Sequence, residues 1–262
     1  MENTKNSSAQ KGLLRLLWGI IARPRATFRY LNENGRRVWW LPALLAVIAV
    51  ILPILVGSPI RTQMAREAVV SIQTPMGETL SPEQQQQMEQ AQQMAASPLI
   101  ITVFPSIAGV LGLVIGWLVW AGALYLVGMV AGGHAPFGVL FRMVVWAWIP
   151  YALRGFLQAL YILLNGQLIV HPGLSGLVAS GQTVEEVLTA PPTAGQMVVS
   201  AFLARIDLFL FWNLALLVVG TIVVTRLSTR KATALVLGIW LLLVLIGLIP
   251  TLISSLMIGG VF

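Results

Sequence analysis

The sequence has no cysteine, only two histidines and few charged residues. Without cysteine, disulfide bonds, thiol chemistry and thiolate metal sites are excluded. The two histidines, His134 and His171, are too few and too far apart in the chain to predict a metal site. Charged residues make up 10% of the chain. A soluble domain carries roughly a quarter, so the composition indicates an integral membrane protein.

The motifs of several enzyme classes are missing as well. The chain has no nucleotide-binding loop, no HExxH, no arrangement of a serine or cysteine nucleophile and no paired acid motif. We therefore expect a protein that is not an enzyme, that needs no cofactor and that takes no small-molecule substrate.

Apolar residues are abundant and are gathered into long runs. Hydrophobic residues make up 57% of the chain, and the mean hydropathy is +0.85. At ~1.5 Å rise per residue, about 20 residues of helix cross a hydrocarbon core. We predict an all-α, polytopic membrane protein with a five-helix bundle in residues 39–262. Its spans are placed at 39–56, 99–132, 139–164, 202–225 and 233–257, with outer loops at 57–98 and 165–201.

Prolines add detail to this outline. Ser81-Pro82-Glu83 predicts a helix start inside the first outer loop, because serine caps helices and proline suits the first helical position. Pro150 is expected to kink the third span, since it removes a backbone hydrogen bond and clashes with the preceding turn.

The basic residues predict the orientation. Twelve of them fall on one side of the predicted spans, where the only acids are Glu2 and Glu33. The outer loops hold two arginines against six glutamates. Because lysine and arginine mark the cytoplasmic side, we predict a cytoplasmic N-terminus and an outer C-terminus, in the inner (plasma) membrane of a cell. The net charge of +7 thus lies beside the membrane and predicts no nucleic-acid partner.

Residues 1–38 form a basic N-terminal segment on the cytoplasmic side. Leu13, Leu17 and Ile20 share one helix face, so we predict an amphipathic helix lying at the membrane interface. This segment is either an anchor that fixes topology or a surface that binds a partner. The residues expected at the membrane surface are Lys11, Arg15, Arg23, Arg25, Arg29, Arg36 and Arg37.

Small residues recur at every fourth position of the second span. They are Ala108, Gly112 and Gly116, followed by Gly128 and Gly132. Such spacing leaves a smooth strip on a helix, where another backbone can approach closely. The strip predicts packing within the chain or, alternatively, a seam between two copies.

Two opposite charges stand in apolar runs. Arg154 lies in the third span and Asp207 early in the fourth, at a similar depth if the two helices are antiparallel. Because a charge in a membrane costs at least ~2.5 kcal/mol, each should find a partner. We predict an ion pair that locks two helices; the alternative is a proton or substrate site. Arg205 is a competing partner for Asp207.

Three segments resemble the Yip family (Ypt/Rab-interacting multispanning membrane proteins), in its prokaryotic branch. They are LWGIIARPRATFRYL (17–31), FRMVVWAWIPYALRG (141–155) and IDLFLFWNLALLVVGTIVVTRLSTRKA (206–232). The last is similar to the family's Asp-x-Phe-x-x-Trp run with a later glycine and a Ser-x-x-Lys-Ala turn. The resemblance implies a five-helix bundle and, for eukaryotic members, roles in vesicle trafficking, membrane shaping and binding of prenylated Rab GTPases.

The functional hypothesis is a membrane-organising scaffold that contacts the lipid bilayer and other membrane proteins or a second copy of itself. One alternative is an accessory subunit of a larger membrane complex, possibly associated with pigment or quinone. The other is a small transporter or permease, which requires a polar cavity near the midplane.

Overall fold

The long apolar runs become helices in the computed structural model, which describes residues 12–34, 38–73, 81–179 and 193–259. Helix accounts for 85% of the structure, and those ranges contain no strand. The all-α class predicted from the sequence is confirmed.

The described helices are short at the N-terminus and longer through the apolar runs. In chain order they are α1 (Leu13–Ala22), α2 (Pro24–Asn34), α3 (Trp40–Val56), α4 (Ser58–Gln73), α5 (Pro82–Ala95), a π-helical turn (Leu99–Val103), α6 (Phe104–Val130), α7 (Phe137–Ala147), α8 (Ile149–Asn165), α9 (Gly176–Ala179), α10 (Ala194–Leu203), α11 (Leu208–Thr225) and α12 (Thr229–Gly259).

Several of these helices are long and apolar enough to cross a membrane. Four candidate spans occur among the described residues: Pro82–Val130, Phe137–Asn165, Leu208–Thr225 and Thr229–Ser255. Trp40–Val56 and Ser58–Val69, bent by 48° at the break between them, make a fifth if they count as one span. The chain is therefore a multi-pass membrane protein with a helical bundle. The side on which each terminus lies stays a prediction.

The first outer loop contains more helix than the sequence indicates. Besides α5, it holds α4, which packs against α5. The predicted start of α5 is confirmed. Ser81 Oγ accepts a hydrogen bond from the Gln84 backbone at 3.3 Å, and the Ser81 backbone N–H donates to Gln84 Oε1 at 2.9 Å. This reciprocal capping box, with Pro82 next to the cap, explains why the glutamine-rich stretch begins there.

The third span is interrupted at Trp148, two residues before Pro150. A proline has no N–H to donate and disfavours helix at the residue before it. The break is stabilised by Asn213, a buried residue of α11 whose Nδ2 donates to the carbonyl oxygen of Ala147 at 2.8 Å.

The chain divides into two compact units, each made of three stretches. The first unit comprises Met1–Leu44, Trp117–Ile149 and Trp212–Leu243. In this unit α7 is almost entirely buried, with Trp146 fully enclosed. Helix α11 comes close to α7 at Gly220, where an added Cβ would lie 2.7 Å from Met143 Cγ.

The second unit comprises Leu45–Gly116, Pro150–Phe211 and Val244–Phe262. Here α8 approaches α3 most closely at Gly155, where an added Cβ would overlap the carbonyl of Ala49. The loop after α8 turns at Gly173, whose φ of +59° suits glycine. Its neighbour Leu174 donates from its backbone N–H to the Leu203 carbonyl at 3.0 Å, so this loop is attached to the end of α10.

Candidate functional site

The structure brings together the two charges that the sequence places in apolar runs. Arg154 lies on α8, and Asp207 lies in the turn between α10 and α11. Arg154 Nη1 is 2.9 Å from Asp207 Oδ2, and the two side chains keep 24% and 14% of their exposure. The pair therefore joins α8 to the start of α11 in a partly buried setting.

Asp207 also caps a helix, a role that the sequence reasoning missed. Its Oδ1 accepts a hydrogen bond from the backbone N–H of Leu210 at 2.8 Å, in the first turn of α11. Aspartate is a favoured N-cap because it satisfies a free N–H and its charge suits the positive end of the helix. The signal was present, since Asp207 stands directly before the uninterrupted apolar run that begins at Leu208.

The prediction of one continuous span over 202–225 is corrected by this cap. Helix α10 ends at Leu203 and α11 begins at Leu208, so Asp207 lies between helices and not inside one. The physical reason is that its carboxylate binds a backbone N–H that an unbroken helix would already have used.

Arg205, the predicted competitor for Asp207, has other partners. Its Nη1 donates to the Val244 carbonyl at 3.1 Å and its Nη2 to the Gly247 carbonyl at 2.6 Å, both on α12. An added Cβ at Gly247 would lie 2.5 Å from Arg205 Nη1, so glycine leaves room for the guanidinium group. These carbonyls precede Pro250, which removes one hydrogen bond from this part of α12.

The chemistry that this arrangement supports is mainly structural. One carboxylate oxygen binds Arg154 and the other binds the end of α11, while Arg205 is held by backbone carbonyls. Tyr151 is close enough to interact electrostatically with both charges of the pair. Among the described residues, no group of three or more acids and histidines lies together as metal ligands would.

A comparison with known families decides the identity of this bundle. The family described as "Yip1 domain" matches residues 18–249, which is most of the chain. The chain belongs to the Yip1 domain family. No curated protein and no solved structure matches it.

The Yip1 match covers the three segments that carried the resemblance, apart from Leu17. It thus includes both members of the ion pair and the cap of α11. It also includes α2 and most of α12, which line the basic surface considered next.

In this Yip1 domain the N-terminal helices are basic, as expected. Arg15, Arg23, Arg25 and Arg29 lie on or beside α1 and α2, and all four side chains are exposed. Lys11, Arg36 and Arg37, the other residues predicted for the membrane surface, lie outside the described residues.

Helix α1 is apolar on two faces. Leu16 and Ile20 are buried against the rest of the first unit. On another face Leu14 and Trp18 are 81% and 68% exposed, and Ile21 is exposed beside them. The face predicted from Leu13, Leu17 and Ile20 is therefore not the free one, because Ile20 belongs to the core.

The strip of small residues is not covered by the rest of the described chain. An added Cβ at Gly112 or Gly116 would meet no atom within 4 Å, and Ala108 is exposed. Packing within the chain, the first prediction for this strip, is thus corrected for these residues. The close approach uses a different face, since an added Cβ at Gly109 would lie 2.7 Å from Val50 Cγ1.

The last two small residues belong to the end of α6. Gly128 is buried, and its carbonyl accepts a hydrogen bond from the Gly133 backbone at 2.8 Å. Gly132 has a φ of +88°, so it serves the turn that follows the helix. An added Cβ at either glycine would meet no atom of another described helix within 4 Å.

Proposed function

We propose that this Yip1 domain protein is a non-enzymatic scaffold that organises the membrane around it and holds partner proteins. The observation that carries the proposal is the exposed apolar face of α1, formed by Leu14, Trp18 and Ile21. These residues follow the spacing i, i+4, i+7 and so point in one direction from the helix.

The physical case for membrane contact rests on combining that face with nearby charge. A helix that exposes tryptophan and leucine beside arginines is typical of segments that lie in the headgroup region. Arg15 is next to the exposed face, and Arg23, Arg25 and Arg29 follow within the helical hairpin. One side of α1 thus attaches to the bundle while the other is free to enter the lipid boundary. In this proposal the hairpin lies at the cytoplasmic face of the inner (plasma) membrane.

The absence of cysteine from the chain permits a direct test. Trp18→Cys and Asn32→Cys each give one site for a spin label in the full-length protein in lipid vesicles. We expect the Trp18→Cys label to be reached by oxygen in the lipid and shielded from a water-soluble relaxation agent. The Asn32→Cys label should show the opposite pattern. Equal access of the water-soluble agent to both labels would contradict insertion of α1.

A second candidate, an accessory subunit of a larger membrane complex, is favoured by α6. No residue in the most apolar 18-residue window of Pro82–Val130 is buried, although this is the longest candidate span in the described chain. The uncovered strip at Gly112 and Gly116 lies on this helix. Another transmembrane helix, from a partner or a second copy, would find a smooth surface there.

Co-purification from native membranes in mild detergent separates these candidates. A large assembly that survives purification supports the accessory-subunit role, and its loss in Gly112→Leu/Gly116→Leu would locate the contact. Because both glycines are uncovered in the described chain, this variant should keep its own fold. Purification of the chain alone would contradict the accessory-subunit role.

A further inference from the structure

A cavity of about 580 Å³ opens in the first unit between α2 and the connection from α11 to α12. Arg25 and Arg29 line it from α2, and Arg226 lines it from the connection. Glu33 is the acid among its lining residues, so the cavity holds three guanidinium groups against one carboxylate. Ile222 and Val223, at the end of α11, form an apolar part of its wall.

The three arginines are free to bind a ligand. In the described part of the chain, none of them takes part in an ion pair. Arg25 and Arg29 are four residues apart on one helix, where like charges repel each other. An anion between them removes that repulsion, and a guanidinium group matches a phosphate through two parallel hydrogen bonds.

The backbone of Arg226 supports the same conclusion independently. Its φ is +60°, the left-handed region, and it is the one non-glycine residue with positive φ among the described residues. Glycine or asparagine adopts that conformation at lower cost. A strained residue of this kind points to a function for its side chain. Here that side chain lines the cavity.

The wall composition selects the class of anion. Guanidinium groups suit a phosphate, whereas Ile222 and Val223 continue the apolar surface of α11, a candidate membrane span. A ligand with a phosphate at one end and hydrocarbon at the other satisfies both parts. Basic pockets beside transmembrane helices bind anionic lipid headgroups in this way.

We propose that this cavity binds the phosphate headgroup of an anionic phospholipid, with Arg25, Arg29 and Arg226 as its ligands and the acyl chains along the end of α11. The proposal rests on the proposed function only in placing this end of the chain at the membrane interface. It adds a site for one bound lipid to the general attraction of basic residues for an anionic leaflet.

Native mass spectrometry of the full-length protein in mild detergent tests the proposal with phosphatidylglycerol as the probe. We expect phosphatidylglycerol to bind with 1:1 stoichiometry, and phosphatidylcholine, which has no net charge, to bind at least about tenfold more weakly. Inorganic phosphate at the same concentration should not compete. Equal binding of the two lipids, or full competition by inorganic phosphate, would overturn the proposal.

Two variants and a matched control locate the site. Arg25→Gln/Arg29→Gln should weaken phosphatidylglycerol binding about tenfold or more, since each charged hydrogen bond lost corresponds to roughly that factor. Arg15→Gln/Arg23→Gln removes the same charge from the same hairpin but not from this cavity, and should change binding less than about twofold. Equal losses in the two variants would show general electrostatics and overturn the site.

Arg226→Gly separates binding from folding. Glycine suits φ +60°, so this variant should unfold at the same temperature as the wild type or higher. It should nevertheless lose phosphatidylglycerol affinity by about tenfold, the worth of one charged contact. Unchanged affinity in a stable Arg226→Gly protein would overturn the role of Arg226. This readout uses detergent without a bilayer, so it is independent of whether α1 inserts into lipid.

Discussion

Asp207 has two structural roles that mutation can separate. Asp207→Asn removes the charge but keeps a side-chain oxygen for the Leu210 N–H, because asparagine caps helices as well as aspartate. Asp207→Leu removes both. Arg154→Leu removes the partner charge alone.

The exposure of the pair sets the expected magnitude. Breaking a fully buried pair by removing one partner costs about 3–5 kcal/mol, and an exposed pair contributes about 0–1 kcal/mol. With Asp207 at 14% and Arg154 at 24% exposure, the pair is nearer the buried case. We expect Arg154→Leu and Asp207→Asn each to lower the free energy of unfolding by about 2–3 kcal/mol. Asp207→Leu should lose about 1 kcal/mol more, the worth of the cap.

A double-mutant cycle, measured by equilibrium unfolding in detergent, is the assay. Arg154→Leu/Asp207→Asn should cost less than the two single losses added, by about 1–2 kcal/mol, because no unpaired charge remains. Strict additivity would refute the interaction. The control cycle combines Arg205→Leu with Asp207→Asn, and it should be additive because Arg205 binds carbonyls of α12.

Other predictions follow from close approach and from charge. Gly155→Ala should lower the free energy of unfolding by about 1–3 kcal/mol, because the new methyl group meets the rigid carbonyl of Ala49. Gly112→Ala, with no atom within 4 Å, should leave stability unchanged or slightly raised, and equal losses in both would contradict the packing described. A reporter at Phe262 should be accessible from outside the cell and one at Met1 only from within; accessibility of both from one side would contradict five spans.

The part of the fold that the sequence predicts is the part that hydrophobicity controls. Uncharged runs such as Leu208–Thr225 are long enough to cross a bilayer and have no cheaper alternative than helix. The pairing of Arg154 with Asp207 followed from the same principle, because a charge in lipid must find a partner. Helix α4 was missed because its polar composition carries no span signal and its helix is supported by packing against α5.

The small residues of α6 show why contacts were harder to predict than elements. A period of four defines a strip on a helix but does not say which face meets a neighbour. Gly109 is offset from that strip by one residue, or about 100° around the helix, and it is the glycine against Val50. Only the tertiary arrangement distinguishes these faces. The partners of Arg205 were hidden for a similar reason, since backbone carbonyls leave no trace in a sequence.

The ion pair also constrains how the protein is made. Ribosomes synthesise roughly 5–20 residues per second, so α8 emerges with Arg154 several seconds before Asp207 exists. During that interval the arginine has no carboxylate and would face lipid at a cost of about 2.5–3.5 kcal/mol. Helix α6 carries no charge and can leave the insertion machinery alone, whereas α8 gains by waiting at its edge until the Asp207 turn arrives. Release of α8 and α11 into the bilayer as one unit is the order of assembly that this contact favours.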